Sequence, residues 1–270
     1  MSGMLVAVCS DKGSPGVTTT ALALGAMWPG EEVSVVELDL AGGDLGLRLR
    51  DENGAGLPSK PTVVAYAAAT RGGGPAPLAP YAIGLGGGLG VVQAPMTREV
   101  MGALPNVLSS VAHSLGTGDG DVIADLGRID SASPEIAIAA GADVLVVVAR
   151  ASRGAVRRLQ ERLSLLLSTV AGQRGGPIPT YVVLVCPRRY GRGHVSDIEA
   201  YLADRGVKVD GVGFIGWDPA GVERLERRGD RRGRRMRRTT LGRTSARVAE
   251  TVATMSDGSG SYAESSTGVS

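Results

Sequence analysis

Residues 9–24 read CSDKGSPGVTTTALAL, and they lie between an apolar run, LVAV at 5–8, and an apolar pattern with helical spacing. Glycines, a lysine and consecutive threonines between a strand and a helix indicate a phosphate-binding loop. Gly13 and Gly16 permit backbone turns that direct N–H groups inward, and the N-terminus of the following helix adds partial positive charge. Thr18 and Thr19 add hydroxyls. The alternative is an ordinary glycine-rich turn between a strand and a helix, which this loop alone does not exclude.

The fold class follows from the alternation of two patterns along the chain. Several apolar runs are continuous, which is typical of strands covered on both faces of a parallel sheet. Strands are predicted at 4–9, 33–38, 89–94, 121–126, 143–149, 180–186 and 210–217. Helices are predicted at 17–28, 61–69, 97–115, 132–140, 152–172, 194–206, 219–228 and 240–255. This alternation predicts an α/β fold with a doubly wound, mostly parallel sheet of about seven strands and helices on both faces.

Composition narrows the class of protein further. The chain has 270 residues, 43% of them hydrophobic, which is enough for one large domain with a substantial core. No apolar run approaches the roughly 20 residues that a membrane-spanning helix needs, and the N-terminus lacks the basic start of a signal peptide. We therefore expect a cytoplasmic protein with no transmembrane segment. Cys9 and Cys186 are expected to be buried free thiols. The sequence has no Cys/His cluster of the kind that binds zinc, so we expect no zinc site.

The loop resembles a particular family once its residues are aligned to a pattern. Residues 12–19, KGSPGVTT, match the deviant phosphate loop K-G-G-x-G-K-[ST]-T of the ParA/MinD family of P-loop ATPases. Ser14 stands at the second glycine, and Val17 stands at the phosphate-loop lysine. The order of motifs resembles this family over about residues 4–255. We therefore expect a P-loop NTPase domain at 1–255, with a Gly/Pro-rich loop at 72–88, and a disordered Ser/Gly-rich tail at 256–270.

The resemblance assigns catalytic and metal-binding roles. Lys12 matches the signature lysine that reaches the nucleotide of the partner subunit across a sandwich dimer, so a homodimer is implied. Asp39, in VVELDL at 35–40, matches the aspartate that positions the attacking water and magnesium, and Glu37 replaces the first acid of that motif. Asp125, in DVIADLGRID at 121–130, resembles the Walker B aspartate, and Gly127 would stand near the γ-phosphate. The implied catalytic residues are Lys12 and Asp39, and the implied Mg²⁺ ligands are Thr18, Asp39 and Asp125.

The segment that would border the base is less well matched. Trp217, Asp218 and Pro219 resemble the family segment beside the adenine, although a tryptophan at a strand end can equally be a packing residue. Cys186 and Pro187 occupy the place where the family often has an adenine-reading asparagine. The residues implied to bind ATP or ADP are Lys12, Gly13, Ser14, Pro15, Gly16, Val17, Thr18, Thr19, Trp217 and Pro219.

Three functions are compatible with these motifs. The segment ELDLAGGDLG at 37–46 is most similar to the CpaE/TadZ branch, whose members are associated with Tad-type pilus and secretion systems. That implies a positioning or assembly factor for a pilus, secretion or cell-division-site complex, with ATP hydrolysis weak or absent because Val17 replaces a lysine. The alternatives are a pseudo-ATPase adaptor without turnover and a chromosome- or plasmid-partitioning ATPase.

An arginine-rich segment at 227–238, RRGDRRGRRMRR, concentrates positive charge in a chain whose net charge is only +2. It fits a solvated flexible loop, or contact with DNA phosphates, anionic lipid head groups or an acidic partner. The last three readings would place the protein at the nucleoid, at the membrane periphery or on secretion or septum-site machinery. The sequence leaves all four open.

Overall fold

A computed structural model describes residues 3–11, 15–72, 74–227 and 229–255. Lys12, Gly13, Ser14 and the tail at 256–270 therefore lie outside the described residues. The described chain forms one eight-stranded sheet in the order β3-β4-β2-β5-β1-β6-β7-β8. The strands are β1 Leu5–Ser10, β2 Val33–Glu37, β3 Ile83–Gly84, β4 Leu89–Val92, β5 Asp121–Arg128, β6 Val144–Arg150, β7 Thr180–Cys186 and β8 Gly211–Gly216.

The helices follow the strands in the alternating order that the sequence predicts. The α-helices are α1 Val17–Met27, α2 Leu45–Arg48, α3 Val63–Thr70, α4 Arg98–Met101, α5 Leu108–Thr117, α6 Ile136–Gly141, α7 Arg153–Arg174, α8 Gly191–Asp204, α9 Pro219–Glu226, α10 Arg234–Arg237 and α11 Thr240–Thr254. The helix predicted at 97–115 is interrupted, because Pro105 opens a short 3₁₀ turn between α4 and α5. The four-residue helices α2 and α10 are too short for a periodic pattern to reveal.

The sheet is parallel except at one edge. All seven predicted strands are present, and β3 is an eighth strand that the sequence did not predict. This two-residue strand pairs antiparallel to β4 within the glycine-rich loop at 72–88. Two residues, one of them glycine, are too few to show an alternation of apolar and polar side chains.

The strands inside the sheet bury residues on both faces, because separate helices cover the two sides of the sheet. Along β1, Leu5 belongs to one core and Val6 to the other. The first core includes Tyr66 of α3 and lies beneath α3, α5, α6, α7 and α8. The second includes Leu22 of α1 and lies beneath α1, α9, α10 and α11. The doubly wound α/β fold is thus confirmed, and both Cys9 and Cys186 are buried and free.

The central position of β1 sets the location of the loop that follows it. β5 and β6 pair in parallel on either side of β1, with Val8 opposite Asp125 and Cys9 opposite Val147. The carboxyl ends of these three strands therefore meet at one edge, where ligands bind in open α/β sheets. No helix in the described ranges is long and apolar enough to cross a membrane.

Part of the arginine-rich segment at 227–238 is built into the fold. Arg231 is only 2% exposed, and its guanidinium donates to the carbonyl oxygens of Leu225, Leu85 and Arg50 at 2.8, 3.0 and 2.6 Å. The interpretation of this segment as a solvated loop is therefore wrong at Arg231, which joins α9 to the Gly/Pro-rich loop at 72–88 and to the residues that follow α2.

Arg232 anchors the same segment to the end of α1. Its guanidinium donates to the carbonyl oxygens of Trp28, Glu31 and Gly87 at 2.7, 2.6 and 2.9 Å. Met236 of α10 is fully buried beside it. The arginines of this segment that remain exposed among the described residues are Arg227, Arg234, Arg235, Arg237 and Arg238.

Candidate functional site

The described part of the phosphate loop forms the start of α1. Gly16 has φ +96°, a left-handed conformation that favours glycine, and its carbonyl accepts a hydrogen bond from the N–H of Thr20 at 2.8 Å. No side chain among the described residues caps this helix N-terminus. The first-turn N–H groups therefore remain available to an anion.

Val17 and Thr18 have different environments at this terminus. The Val17 side chain is 6% exposed and packs into the core beneath α1. Thr18 is partly buried, and its hydroxyl faces the Asp125 carboxylate. The residue in the lysine position thus contributes packing, and the following threonine contributes a polar group.

Asp125 is the buried acid at the centre of the site. Its neighbours across the sheet are Val8 of β1 and Glu37 of β2. Burial raises its pKa to about 6, against lowering contributions from the Thr18 hydroxyl and the Gly127 N–H. Oδ1 accepts from the Gly127 N–H at 3.0 Å, whereas the buried Oδ2 has no hydrogen-bond partner among the described residues.

This arrangement fits a magnesium ion whose coordination shell is completed by phosphate oxygens and water. The described residues contain no group of three or more His, Cys, Asp or Glu side chains that could hold a metal unaided. Magnesium usually takes only one or two protein carboxylates and fills its shell with phosphate oxygens and water. The unpartnered Oδ2 of Asp125 and the Thr18 hydroxyl are the groups of this chain that would hold it.

Asp39 lies at the end of β2 and is close to the same centre. Its Oδ1 accepts a hydrogen bond from the N–H of Ala41 at 2.8 Å. Partial burial raises the pKa of Asp39, and the negative charge of Asp44 raises it further. Gly127 has φ +61°, and a Cβ atom added to it would come within 2.1 Å of Asp39 Oδ2. Gly127 is therefore the residue that lets the two acidic strand ends approach each other.

Glu37 is held by backbone groups in this structure. Its carboxylate accepts backbone N–H bonds from Asp44 and Leu45 at 2.9 and 3.2 Å and from Ala94 at 2.9 Å. Burial nevertheless raises its pKa to about 7, with the neighbouring Asp125 adding to the rise. The residue at the first acidic position of the motif thus ties α2 and the end of β4 to β2.

One cavity of about 380 Å³ joins the start of α1 to the segment after β8. Its volume is within the range of small-molecule sites, about 300–1,000 Å³. Cys186 and Pro187, although described, are not part of its wall. The wall is formed by Pro15, Gly16, Thr19, Thr20, Arg150, Val185, Ile215, Gly216, Trp217, Asp218, Pro219, Val222, Glu223, Glu226 and Leu241.

Trp217 and Asp218 have separate roles at the far end of this cavity. Trp217 is 58% exposed although it lines the wall, so its ring is not a core packing residue. The Asp218 carboxylate accepts from the N–H groups of Gly221 and Leu241 at 2.9 and 3.0 Å. Asp218 therefore caps α9 and holds the start of α11, whereas the guanidinium carbon of Arg150 lies 5.9 Å from the centre of the Trp217 ring.

A network around Arg48 was not predicted from the sequence. Its guanidinium donates to Thr19 Oγ1 at 2.9 Å and pairs with Glu226 at 2.6 Å and with Asp44 at 3.0 Å. The network connects α2, α1 and α9 beside the cavity. Asp44 is only four residues from Arg48, but Thr19 and Glu226 are distant in sequence, and no motif indicated that they would meet it.

Comparisons with known proteins agree with this geometry at the level of fold. No family model and no curated protein matches the sequence. A ParA family ATPase from Chlorobium tepidum superimposes with a TM-score of 0.70 at 18% identity, covering 92% of this chain and 98% of that one. The chain therefore has the fold of the ParA/MinD-type ATPases.

Two further solved structures carry nucleotides. The septum site-determining protein MinD from Pyrococcus horikoshii, complexed with Mg-ADP, has a TM-score of 0.61, 19% identity, and coverage of 93% and 96%. A Cyanothece McdA–ATP complex has a TM-score of 0.67, 15% identity, and coverage of 93% and 96%. At these identities the likeness shows the shared fold, and the roles of individual residues rest on the geometry above.

The raised pKa values predict how stability depends on pH in the absence of ligand. Folded Glu37 and Asp125 titrate at about 7 and about 6, above their ordinary values of 4.5 and 3.8. The native state then binds more protons than the unfolded state between about pH 4 and pH 7, so the free energy of unfolding falls as pH rises through this window. Urea unfolding at pH 5 and pH 8 measures the decline. Asp125→Asn removes one of the two groups, so its decline is expected to be smaller, and an equal decline would contradict the assignment.

Proposed function

We propose that this chain is a ParA/MinD-like nucleotide-binding protein of the CpaE/TadZ branch, which acts as a positioning or assembly factor with ATP hydrolysis weak or absent. The observation that carries the proposal is the single cavity shared by the start of α1 and Trp217. It offers uncapped helix N–H groups at one end and an exposed aromatic ring at the other, which suit the phosphates and base of a nucleotide.

The bound species in this proposal is ATP or ADP with Mg²⁺. Thr18 and the unpartnered Oδ2 of Asp125 hold the metal, which neutralises phosphate charge. The presence of Mg-ADP in the MinD structure and of ATP in the McdA structure supports this choice. A homodimer belongs to the same proposal, because Lys12 is kept at the signature position of the family.

Weak hydrolysis follows from the environment of Val17. A phosphate-loop lysine neutralises charge that develops during phosphoryl transfer, and a buried valine does not. Loss of one such donor typically slows a reaction by about 10²–10³-fold. Binding depends more on backbone N–H groups and the metal, so nucleotide affinity survives better than turnover does.

A pseudo-ATPase adaptor is the second candidate, and a surface groove favours it. The groove of about 970 Å³ lies beside α3 and is lined by the side chains of Leu47, Met96 and Val100. These are 61%, 63% and 49% exposed, which is unusual for apolar residues that lie together. An adaptor would use such a surface without any need for turnover.

Nucleotide titration tests the proposal, and the chain contains its own reporter. Trp217 lines the cavity, whereas the other tryptophan, Trp28, is 1% exposed and donates to Asp121 at 2.7 Å. We expect ATP or ADP with Mg²⁺ to change tryptophan emission in a saturable way. The Trp217→Phe variant should lose this change but still release heat in calorimetry. Absence of both signals in the wild-type protein at millimolar nucleotide would reject the proposed function and leave the adaptor.

A further inference from the structure

The last strand of the sheet, β8, has an open edge among the described residues. It pairs with β7 on one side, and no described strand lies on its other side. Its residues, GVGFIG at 211–216, keep a regular register with β7 and include no proline and no charged side chain. Proteins usually protect a sheet edge with a bulge, a proline or a charge, because its free main-chain groups can pair with another strand. The sequence of β8 itself provides none of these protections.

The hydrogen bonds at the end of β8 show which main-chain groups face outward. The N–H of Trp217 donates to a carbonyl oxygen of β7 at 2.8 Å. The N–H of the preceding residue, Gly216, points the other way and donates to Oγ1 of Thr244 on α11 at 3.0 Å. Successive main-chain groups of a strand alternate in direction, so those of Val212 and Phe214 also point away from β7. They are presented along the edge, and no described residue bonds to them on that side.

A groove of about 370 Å³ lies along this edge. It is lined by Val212, Gly213 and Phe214 of β8 and by residues of α8 and α11. A segment in extended conformation can therefore place its main chain against β8. Because alternate side chains of an extended segment point to opposite sides, one set would contact α8 and the other would contact α11.

The side chains of this groove give it a positive charge. Arg192 on α8 and Arg247 on α11 both line it, both are exposed, and neither has an ion-pair partner among the described residues. No acidic side chain is part of the lining. Glu199, on α8, lies near enough to add to the rise that burial causes in the pKa of Tyr181, but it is outside the groove. The groove therefore favours an occupant that carries carboxylates.

A second copy of this chain fits the edge less well than an acidic segment does. If two β8 strands paired antiparallel about a twofold axis normal to the sheet, α8 would lie beside the same helix of the other copy, and so would α11. Arg192 and Arg247 would then each approach an identical charge, and like charges across an interface are costly.

We infer that the edge of β8 and this groove bind an extended acidic segment of a partner protein, which adds to the sheet beside β8. Main-chain hydrogen bonds to Val212 and Phe214 provide affinity, as they do in other cases of strand addition. Arg192 and Arg247 select carboxylates on the two faces of the segment. The groove shares no lining residue with the cavity beside α1, so this inference does not depend on nucleotide binding.

Fluorescence anisotropy with a labelled octapeptide tests the inference. The peptide contains four threonines and four glutamates, arranged so that two glutamates lie on each face of the extended chain. We expect saturable binding to the wild-type protein. Binding should weaken about 10-fold in the Arg192→Gln/Arg247→Gln variant, the typical worth of two exposed ion pairs. Arg205→Gln/Arg224→Gln is the matched control, because both arginines are exposed and lie outside the groove.

A modified peptide and amide hydrogen exchange test the strand addition itself. N-methyl groups on the four central residues keep the charge of the peptide but block hydrogen bonds along both of its edges, so binding should weaken at least about 10-fold. The N–H groups of Val212 and Phe214 should exchange more slowly when the unmodified peptide is present. The N–H of Gly213 faces β7 and serves as the internal reference, with no change expected.

Four results would overturn the inference. Equal binding of the N-methylated peptide would mean that charge alone attracts it, and no binding at millimolar peptide would mean that the arginines only protect the edge. Duplex DNA whose binding depends on Arg192 and Arg247 as strongly as the peptide does would indicate a nucleic-acid surface. Protection of Val212 and Phe214 that increases with protein concentration, without peptide, would indicate a second copy. Should the double variant fail to fold, the comparison of the two peptides on the wild-type protein decides.

Discussion

Val17→Lys is expected to tighten ATP binding and to raise the rate of ATP hydrolysis by about 10²-fold over the wild-type protein. The reason is electrostatic: a fixed cation beside the phosphates stabilises the charge that builds up in the transition state, and one such donor is typically worth about 10²–10³-fold. Steady-state phosphate release with saturating ATP and Mg²⁺ measures the rate, and calorimetry measures the affinity.

The burial of Val17 determines the proper control for this experiment. Its side chain is 6% exposed and packs in the core beneath α1, so any longer residue must leave the core to reach the phosphates. A lysine can do so by extending its stem and exposing its ammonium group. Val17→Met has a stem of similar length without the charge, and it is expected to disturb packing equally without any gain in affinity or rate.

A second substitution shows whether the rest of the site works. Asp39→Ala in the Val17→Lys background should remove the gain in hydrolysis, because Asp39 lies against Gly127 beside the buried Asp125. Tighter binding without faster hydrolysis would locate a further defect on the Asp39 side of the site. A gain that survives Asp39→Ala, or an equal gain in Val17→Met, would refute the assigned role of the lysine position.

The sequence predicted the fold well because the strands of a parallel sheet are continuous apolar runs. β6 and β7 have this character, and both were located to within a residue or two. The edge strand β3 and the helices α2 and α10 were missed, because two to four residues cannot show a period. Their positions depend on contacts with distant parts of the chain.

The candidate site could be predicted only where a motif is local. The glycines and threonines of the loop at 12–19 indicated a phosphate site, and the family resemblance singled out Asp39 and Asp125. The structure brings Thr18 and Asp125 together, and the roles of these residues stay predictions. The sequence did not predict that Arg48 and Arg150 lie near the cavity, because their positions depend on contacts with residues that are distant in sequence. Glu37 fitted the acidic motif by position, but its three backbone hydrogen bonds give it a structural role that the sequence did not reveal.

Replacing Arg234, Arg235, Arg237 and Arg238 with glutamine is expected to abolish most salt-sensitive binding to anionic surfaces. These side chains are exposed on and beside α10, whereas Arg231 and Arg232 donate to main-chain carbonyls. Four arginines that each neutralise one DNA phosphate give a salt slope of about −3.6, so affinity falls about 10²-fold between 50 and 200 mM salt. The eight arginines of the whole segment would suggest a steeper dependence, and the inward direction of Arg231 and Arg232 is why the smaller value is expected.

Arg231→Gln provides the opposite control. It should lower the free energy of unfolding by about 3 kcal/mol, because it removes charged hydrogen bonds and leaves the buried carbonyls of Leu85 and Leu225 without their donor. The fourfold glutamine variant should retain wild-type stability, since its side chains face solvent.

Binding of both variants to duplex DNA and to vesicles with anionic lipid is then compared at several salt concentrations. DNA binding that falls only in the fourfold variant would support a partitioning role, whereas a fall in vesicle binding alone would support a site at the membrane periphery. Unchanged binding to both surfaces in the fourfold variant would show that this segment is structural throughout, as Arg231 already is.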